Sequence, residues 1–579
     1  EMQQRDTIAP HDAVGSNIHL HIRRNQVMRV APKENEAVNE VWISDRDRFS
    51  YEGLTASDRL TAPMIKKEGV WQTTDWETAL ALTADGLKKL INAQGSPSVG
   101  ALASPTATVE ELYLLQKVMR GIGSQHIDHR FRQVDFSDQN EAPLFPYLGQ
   151  GIAELEQCDA ALVIGSHIRK EQPLLNHRLR KATLRGAKVM LVNPVNYEFN
   201  FPIAEQIIAT PAAMVDNLAG IAKVLLEKRA TLIPAEVEKL LQETSINESQ
   251  RAMARALRTG NRRTVLLGCL ATAHPQFSAI RALAAIIAKL TGAQLGYLGD
   301  ANNTAGAWLA GVLPHRGAAG SPVDTAGLDA HTMLNLGLKG YVLLGLEPEL
   351  DSGQGAAALT MLKQADFVVS LSAYRTEVME SYADVILPIS LFAETSGTYV
   401  NGEGRWQSFS GAVSPPGEAR PAWKILRVLG NLFKLDGFEY TASDQVCEEL
   451  RQQVGDKTAN NKTAWQIPSR LTVEPAQGLQ RITEMPIYSV DALVRRAAAL
   501  QHTIDAKITE GVHINSQVAA QLSLSDGSQV HVKQNGENIS LEVVIDDRVP
   551  DDGVLIYAGQ AALIELGAWY GPIELKSVA

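Results

Sequence analysis

The chain has 579 residues, 45% of them hydrophobic and 21% charged, which is too long for one core and leads to an expectation of three to five domains. That composition excludes a disordered, collagen-like or disulfide-scaffold protein. Its 54 basic and 65 acidic residues give a net charge of −11, which argues against nucleic acid as the main partner, since a phosphate backbone needs a strongly positive face.

Residues 1–6 are polar and carry both charges, unlike a signal peptide, and a start at Glu1 rather than Met leads us to expect a piece of a longer polypeptide. Residues 17–22 (NIHLHI) alternate at period two and predict a strand, with a second at 27–30 after a turn at Asn25-Gln26. His19 and His21 share one side of the first strand as two metal ligands could, but without a nearby third ligand a solvated strand face is the better reading. Thr74-x-x-Glu77 and Thr108-x-x-Glu111 have the form of capping boxes, each opening an amphipathic helix around a buried strand at 99–103. Apolar strands are then expected at 159–165, 186–194, 264–268, 341–345, 367–371 and 385–387, with a basic helix around 176–181. Near-continuous apolar strands alternating with helices predict parallel sheets covered on both faces. No run reaches the roughly 18 apolar residues of a membrane span. Residues 271–290 come nearest, interrupted by His274, Gln276, Arg281 and Lys289. The segment 441–475 is polar and reads as a linker. Beyond it, Asp526-Gly527 and Asn535-Gly536 between alternating runs predict hairpins of a small β-barrel.

Few motifs carry chemistry on their own. The cysteines, Cys158, Cys269 and Cys447, are too far apart for a C-x-x-C site and suit a reducing cytosolic setting. Gly121-Ile122-Gly123 lacks the third glycine of a dinucleotide fingerprint, and no Walker A sequence is present. Gly165-Ser166-His167 follows a strand and could cradle a phosphate, although an ordinary turn is equally consistent. Asp384, Glu394 and Glu403 could move protons, but acids near turns are more often caps or surface charges. His126 and His129, beside Arg130 and Arg132, lack further ligands and read as a loop.

The most specific stretch is ADVILP at 383–388 followed by ETSGTYVNGEGRWQ at 394–407, a buried strand running into a loop rich in hydrogen-bonding groups. This order resembles the signature of the molybdopterin oxidoreductase superfamily, as do GAKVMLVNP at 186–194 and AQL…DGSQV at 520–530. Residues 12–18, 27–30, 36–49 and 60–64 resemble one branch more closely: the large peripheral-arm subunits of respiratory NADH:quinone oxidoreductases. The resemblance implies a multi-domain α/β fold with two Rossmann-like, doubly wound parallel-sheet domains, a small β-rich N-terminal region and a C-terminal double-psi-type barrel. The implied boundaries are 1–63 (equivalent to an iron–sulfur domain), 64–125 and 261–440 (first Rossmann-like domain), 126–260 (second), 441–480 (linker) and 481–579 (barrel).

The departures from that family set the remaining expectations. Aligned on Gly15-x-Asn17 and Asp45-Arg46, the four thiolate positions of a 4Fe–4S cluster become Ala9, Asp12, Ser16 and Ser44, so the cluster is expected to be lost. No cofactor is expected in this chain: molybdenum is disfavoured because residues 125–130 (QHIDHR) offer no cysteine, and the working clusters are expected in a cysteine-rich region upstream of Glu1. Gly165, Ser166, Asn193, Thr398 and Asn401 are then positions of a vestigial pterin site, and no catalytic or metal-binding residue is expected. The implied role is a scaffold for electron transfer from NADH to quinone, on the cytoplasmic side of the inner membrane, with the other hydrophilic subunits as partners, no nucleic acid and no membrane span of its own. The alternatives are an active molybdenum or tungsten enzyme such as a formate dehydrogenase, and a free-standing binding protein with a pterin or nucleotide cleft.

Overall fold

The computed structural model describes residues 1–227, 233–462 and 478–578. They form two compact units, the first made of Glu1–Phe131, Asp300–Ala459 and Tyr488–Thr503, the second of Arg132–Gly299, Asn460–Ile487 and Ile504–Ala579.

The first unit opens with an antiparallel sheet of Gln3–Ile8, Asn17–Arg23 and Gln26–Pro32. Ile18, Leu20 and Ile22 alternate inward from its middle strand, as period two requires. His19 bonds Asp6 at 2.7 Å and His21 accepts from Arg29 at 3.0 Å, both on the outward face. Among the described residues no group of three or more His, Cys, Asp or Glu is arranged to hold a metal ion. The larger sheet has seven strands in the order Val70–Thr73, Met64–Lys67, Val385–Pro388, Phe367–Ser372, Gly340–Leu344, Val99–Ala103 and Ile127–Asp128. Its five strands from Val385–Pro388 onward are parallel, and every residue of Val99–Ala103 and Gly340–Leu344 is buried, which is why these strands read as unbroken apolar runs. Helix Val109–Gly121 has the expected capping box, Thr108 accepting from the Glu111 amide and Glu111 reaching back. Helix Trp76–Gln94 is capped by Asp75, not Thr74; the Asp75 carboxylate accepts from the Thr78 amide, one residue later than expected.

The second unit holds a five-stranded, fully parallel sheet: Glu205–Ile208, Lys188–Asn193, Ala160–Ile164, Arg263–Leu267 and Gln294–Tyr297. Helices Pro211–Leu226 and Phe277–Thr291 build its main apolar core with these strands. The apolar stretch near 271–290 divides into two helices, Cys269–Thr272 and Phe277–Thr291, and no described helix is long and apolar enough to cross a membrane. A second sheet of seven strands, from Gly571–Pro572 at one edge to Glu574–Ser577 at the other, is nearly closed, because its two edge strands are consecutive in the chain. Its hairpin of Gln529–Gln534 and Glu537–Ile545 turns at Asn535-Gly536 as expected.

Within the segment read as a linker, Ser443–Val454 is a helix that buries Val446, Cys447, Leu450 and Val454; residues 463–477 lie outside the described set. The fold is therefore mixed α/β, with parallel sheets and one nearly closed, barrel-like sheet.

Candidate functional site

Ligands of open parallel sheets sit beyond the carboxyl ends of the strands. In the first unit that edge is formed by Ser104, Gly345, Ser372 and Ile389, together with Pro10, His11 and Asp491, around a cavity of about 70 Å³. Pockets that take drug-sized ligands are roughly 300–1,000 Å³, several times larger. His11 lies at its wall, bonded to Asp491 at 2.9 Å and to Ser50 at 2.8 Å.

The signature loop begins at the Val385–Pro388 strand and continues through the hairpin Gly397–Val400/Trp406–Phe409. Its polar side chains are engaged inside the first unit. Glu394 takes a bidentate bond from Arg59 (2.9 and 3.1 Å) and one from the Leu391 amide. The backbone and hydroxyl of Thr398 donate to Glu110 at 2.9 and 2.8 Å. Burial nonetheless pushes the Glu110 carboxyl up to about 7. Asn401 donates to the Val14 carbonyl at 2.9 Å, the Gly402 amide donates to Ala13 at 2.7 Å, and Gln407 donates to Gly15 at 2.9 Å while accepting from Asn17 at 2.8 Å. Gly15 has φ +67°, and a Cβ there would lie 2.5 Å from the Gln407 amide nitrogen, so only glycine suits this crossing. Thr398 and Asn401 thus meet Glu110 and residues 13–17 rather than an open cleft. Of the other acids, Asp384 caps the Val368 amide at 2.8 Å and Glu403 pairs with Arg405 at 2.6 Å.

The four aligned cluster positions lie in the same region. The Ala9 amide donates to the Ser16 carbonyl, Ser44 caps the short helix Asp45–Phe49, and Asp12 accepts from Val14. Burial and then the Asp47 carboxylate push the Asp12 carboxyl up to about 6, against the pull of Arg46 at 3.6 Å. His126 accepts from the Leu328 amide, and His129 contacts the Val312 carbonyl at 2.8 Å; burial drives its imidazole down to about 4. Arg130 is paired with Asp128 at 2.8 Å.

In the second unit Gly165, Ser166 and Asn193 come together. Gly165 (φ +59°) follows the Ala160–Ile164 strand so close to Ala271 that a Cβ would lie 2.5 Å from its amide nitrogen. The Ser166 amide donates to Asn193 at 2.8 Å and Asn193 donates back to the Ser166 carbonyl at 3.0 Å. Where an anion could bind the turn, the chain supplies its own: Glu171 accepts from the Ser166 hydroxyl at 2.5 Å and the His167 amide at 3.2 Å. Glu484 then accepts from Tyr197 at 2.9 Å and contacts His167 Nδ1 at 3.2 Å, with the His167 and Tyr197 rings stacked at 4.0 Å. Arg59, Glu110, Glu171 and Glu484 carry no local motif that would announce these roles.

Fold and signature together define the class. Residues 59–432 match the molybdopterin oxidoreductase family, and the chain belongs to it. Residues 2–52 match the NADH-ubiquinone oxidoreductase NDSU1/NuoG-like 4Fe-4S domain. The chain is 27% identical over 470 residues to the NADH-ubiquinone oxidoreductase 75 kDa subunit of Reclinomonas americana, covering 76% of this chain and 59% of that protein. It is 26% identical over 509 residues to the F420-dependent formate dehydrogenase subunit alpha of Methanocaldococcus jannaschii, covering 77% of this chain and 73% of that one. The solved structure of acetylene hydratase from Pelobacter acetylenicus has the same fold, with a TM-score of 0.72 at 14% identity over 99% of this chain and 100% of that chain. The chain spans little more than half the length of the NADH-ubiquinone oxidoreductase subunits it matches first.

The expectation that iron–sulfur cofactors belong only to a region outside this chain is corrected: the 4Fe-4S domain lies within residues 2–52. The expected iron–sulfur-domain equivalent at 1–63 covers this region, and the error lies in assigning the cofactor elsewhere; its chain path is held by hydrogen bonds from Asn302, Asn401 and Gln407 of the same unit. The donor set in that domain contains no cysteine, and Ala9, Asp12, Ser16 and Ser44 do not make a four-thiolate cage.

Proposed function

We propose that the chain is the molybdopterin-oxidoreductase-like portion of the large, 75 kDa-type peripheral-arm subunit of a proton-pumping NADH:quinone oxidoreductase. It lies on the cytoplasmic side of the inner membrane among the other hydrophilic subunits. In this reading it contributes no catalytic residue and acts as a rigid frame for electron transfer from NADH to quinone. The observation that carries the reading is the signature loop, where Glu394, Thr398, Asn401 and Gln407 bind Arg59, Glu110 and residues 13–17 of the chain itself. Likewise Gly165, Ser166 and Asn193 close on one another and on Glu171, as positions of a vestigial pterin site. The two parallel sheets are then Rossmann-like, doubly wound domains. Since the first sheet holds Ile127–Asp128 and the second holds Arg263–Leu267 and Gln294–Tyr297, their proposed bounds are 64–131 with 300–440, and 132–299, in place of the boundaries expected at 126 and 261. The barrel-like sheet is of double-psi type (481–579), with 1–63 as the β-rich start and 441–480 as linker.

Native purification through a tag on this chain tests the reading. NADH-dependent quinone reduction in the isolated complex is the expected result; a chain recovered without partner subunits contradicts it. The second reading, an active formate-type molybdenum or tungsten oxidoreductase, draws on the larger share of the formate dehydrogenase subunit that the chain covers. Formate-dependent dye reduction by the purified chain would select it.

A further inference from the structure

The segment Tyr488–Thr503 belongs to the first unit although its neighbours on both sides in sequence belong to the second. It contains two helices of four residues, Ala492–Arg495 and Ala498–Gln501, far below the length at which helices hold themselves together. It is ordered by buried apolar side chains, Leu493, Val494, Ala497 and Leu500, and by an ion network. Arg495 binds Glu347 at 2.6 Å and Asp351 at 2.8 Å; Arg496 binds Glu347 at 2.7 Å and Asp58 at 2.6 Å. The Arg496 guanidinium also lies 3.9 Å from the centre of the Tyr374 ring, whose hydroxyl donates to the Gly53 carbonyl at 2.9 Å. Glu347 and Asp351 stand just past the Gly340–Leu344 strand, at the ligand edge of the seven-stranded sheet.

The same segment grips the 4Fe-4S-type domain from its other side. Asp491 bonds His11, which bonds Ser50 in turn, and the Ala499 amide donates to Glu52 at 2.7 Å. A Cβ on Gly53 would lie 2.6 Å from the Leu493 carbonyl oxygen, so the backbones touch there. Two guanidinium groups and one carboxylate within residues 491–496, with the Ala499 amide, thus bridge the sheet edge to His11, Glu52 and Asp58, and through His11 to Ser50. Such pairs hold firmly while complete and fail together when one charge is removed, because the remaining charge is left buried.

We propose that Tyr488–Thr503 is a latch that occupies the ligand edge of the first unit and holds the 4Fe-4S-type domain to it, so that strap and domain open as one unit. The latch does not depend on the assignment to a respiratory complex. Native-state hydrogen exchange on the unaltered chain tests it. Peptides covering 9–17, 50–55 and 488–503 are expected to share one opening reaction, with equal sensitivity to added denaturant; independent openings would overturn the proposal. In the Arg495→Ala/Arg496→Ala variant these three peptides are expected to exchange at least about ten-fold faster together, while 160–164 and 263–267 in the second unit keep their protection. Acceleration confined to 488–503, or spread equally over the second unit, would overturn it.

Discussion

The two parallel sheets each have a strand that ends in a positive-φ glycine, Gly345 (φ +66°) and Gly165 (φ +59°), yet the groups that close them differ in kind. The edge of the first sheet is closed with buried charge: Arg59 on Glu394, and Arg495 and Arg496 on Glu347. The second is closed with hydroxyls, amides and single carboxylates: Ser166 with Asn193 and Glu171, and Glu484 between His167 and Tyr197. Charge pairs fix a partner sharply, since a mismatched buried charge is severely penalised, whereas neutral donors tolerate rearrangement at smaller cost. The sharper closure is found where a separate small domain, residues 2–52, must be held in register against a sheet.

The largest expected effect comes from breaking the charged closure. Arg59→Ala leaves Glu394 buried without its counter-ion, and the first unit should lose about 3–5 kcal/mol in denaturant unfolding. The Arg59→Met/Glu394→Leu double variant should recover most of that loss; failure to recover would mean that the pair does more than neutralise itself. Next is Glu110, whose carboxyl rises from 4.5 in the unfolded chain to about 7 in the folded one. The folded state therefore binds the proton more tightly. Its contribution is fully present below pH 4.5 and is lost as pH rises through 7, a change of about 3 kcal/mol. Glu110→Gln should flatten stability across that window, as followed by denaturant midpoints at pH 5 and pH 8. The second closure, built on hydroxyls, amides and single carboxylates, should give less: Glu484→Ala leaves the buried Tyr197 hydroxyl without its acceptor and should cost about 1–3 kcal/mol, confined to the second unit. The smallest effect tests the signature loop itself. Arg405, half exposed and paired with Glu403, should change stability by no more than about 0.5 kcal/mol on substitution by alanine.

Much of the fold is legible in the sequence because the central strands are buried on both faces. The runs at 99–103, 341–345 and 367–371 fall within a residue of the observed strands. Gln3–Ile8 is not legible, since QQRDTI buries only its last two residues. Helix Ser443–Val454 hides in a polar stretch because it buries little more than one apolar residue per turn. At the site, the loop at 394–407 and the turn at 165–167 are visible as composition, but their partners are not. Arg59 lies 335 residues from Glu394 and Glu110 lies 288 from Thr398, so nothing local announces either pair. The iron–sulfur domain is recognisable by position and misjudged by cysteine content, because hydrogen bonds from Asn302, Asn401 and Gln407 support its chain path.

The most direct measurement of the proposed framework role is the turnover of the NADH:quinone oxidoreductase complex to which that proposal assigns the chain, carrying Asn401→Ala with Gln407→Ala. A framework role predicts less assembled complex, with unchanged NADH:quinone turnover per complex that does assemble. Full assembly with lost turnover would contradict it.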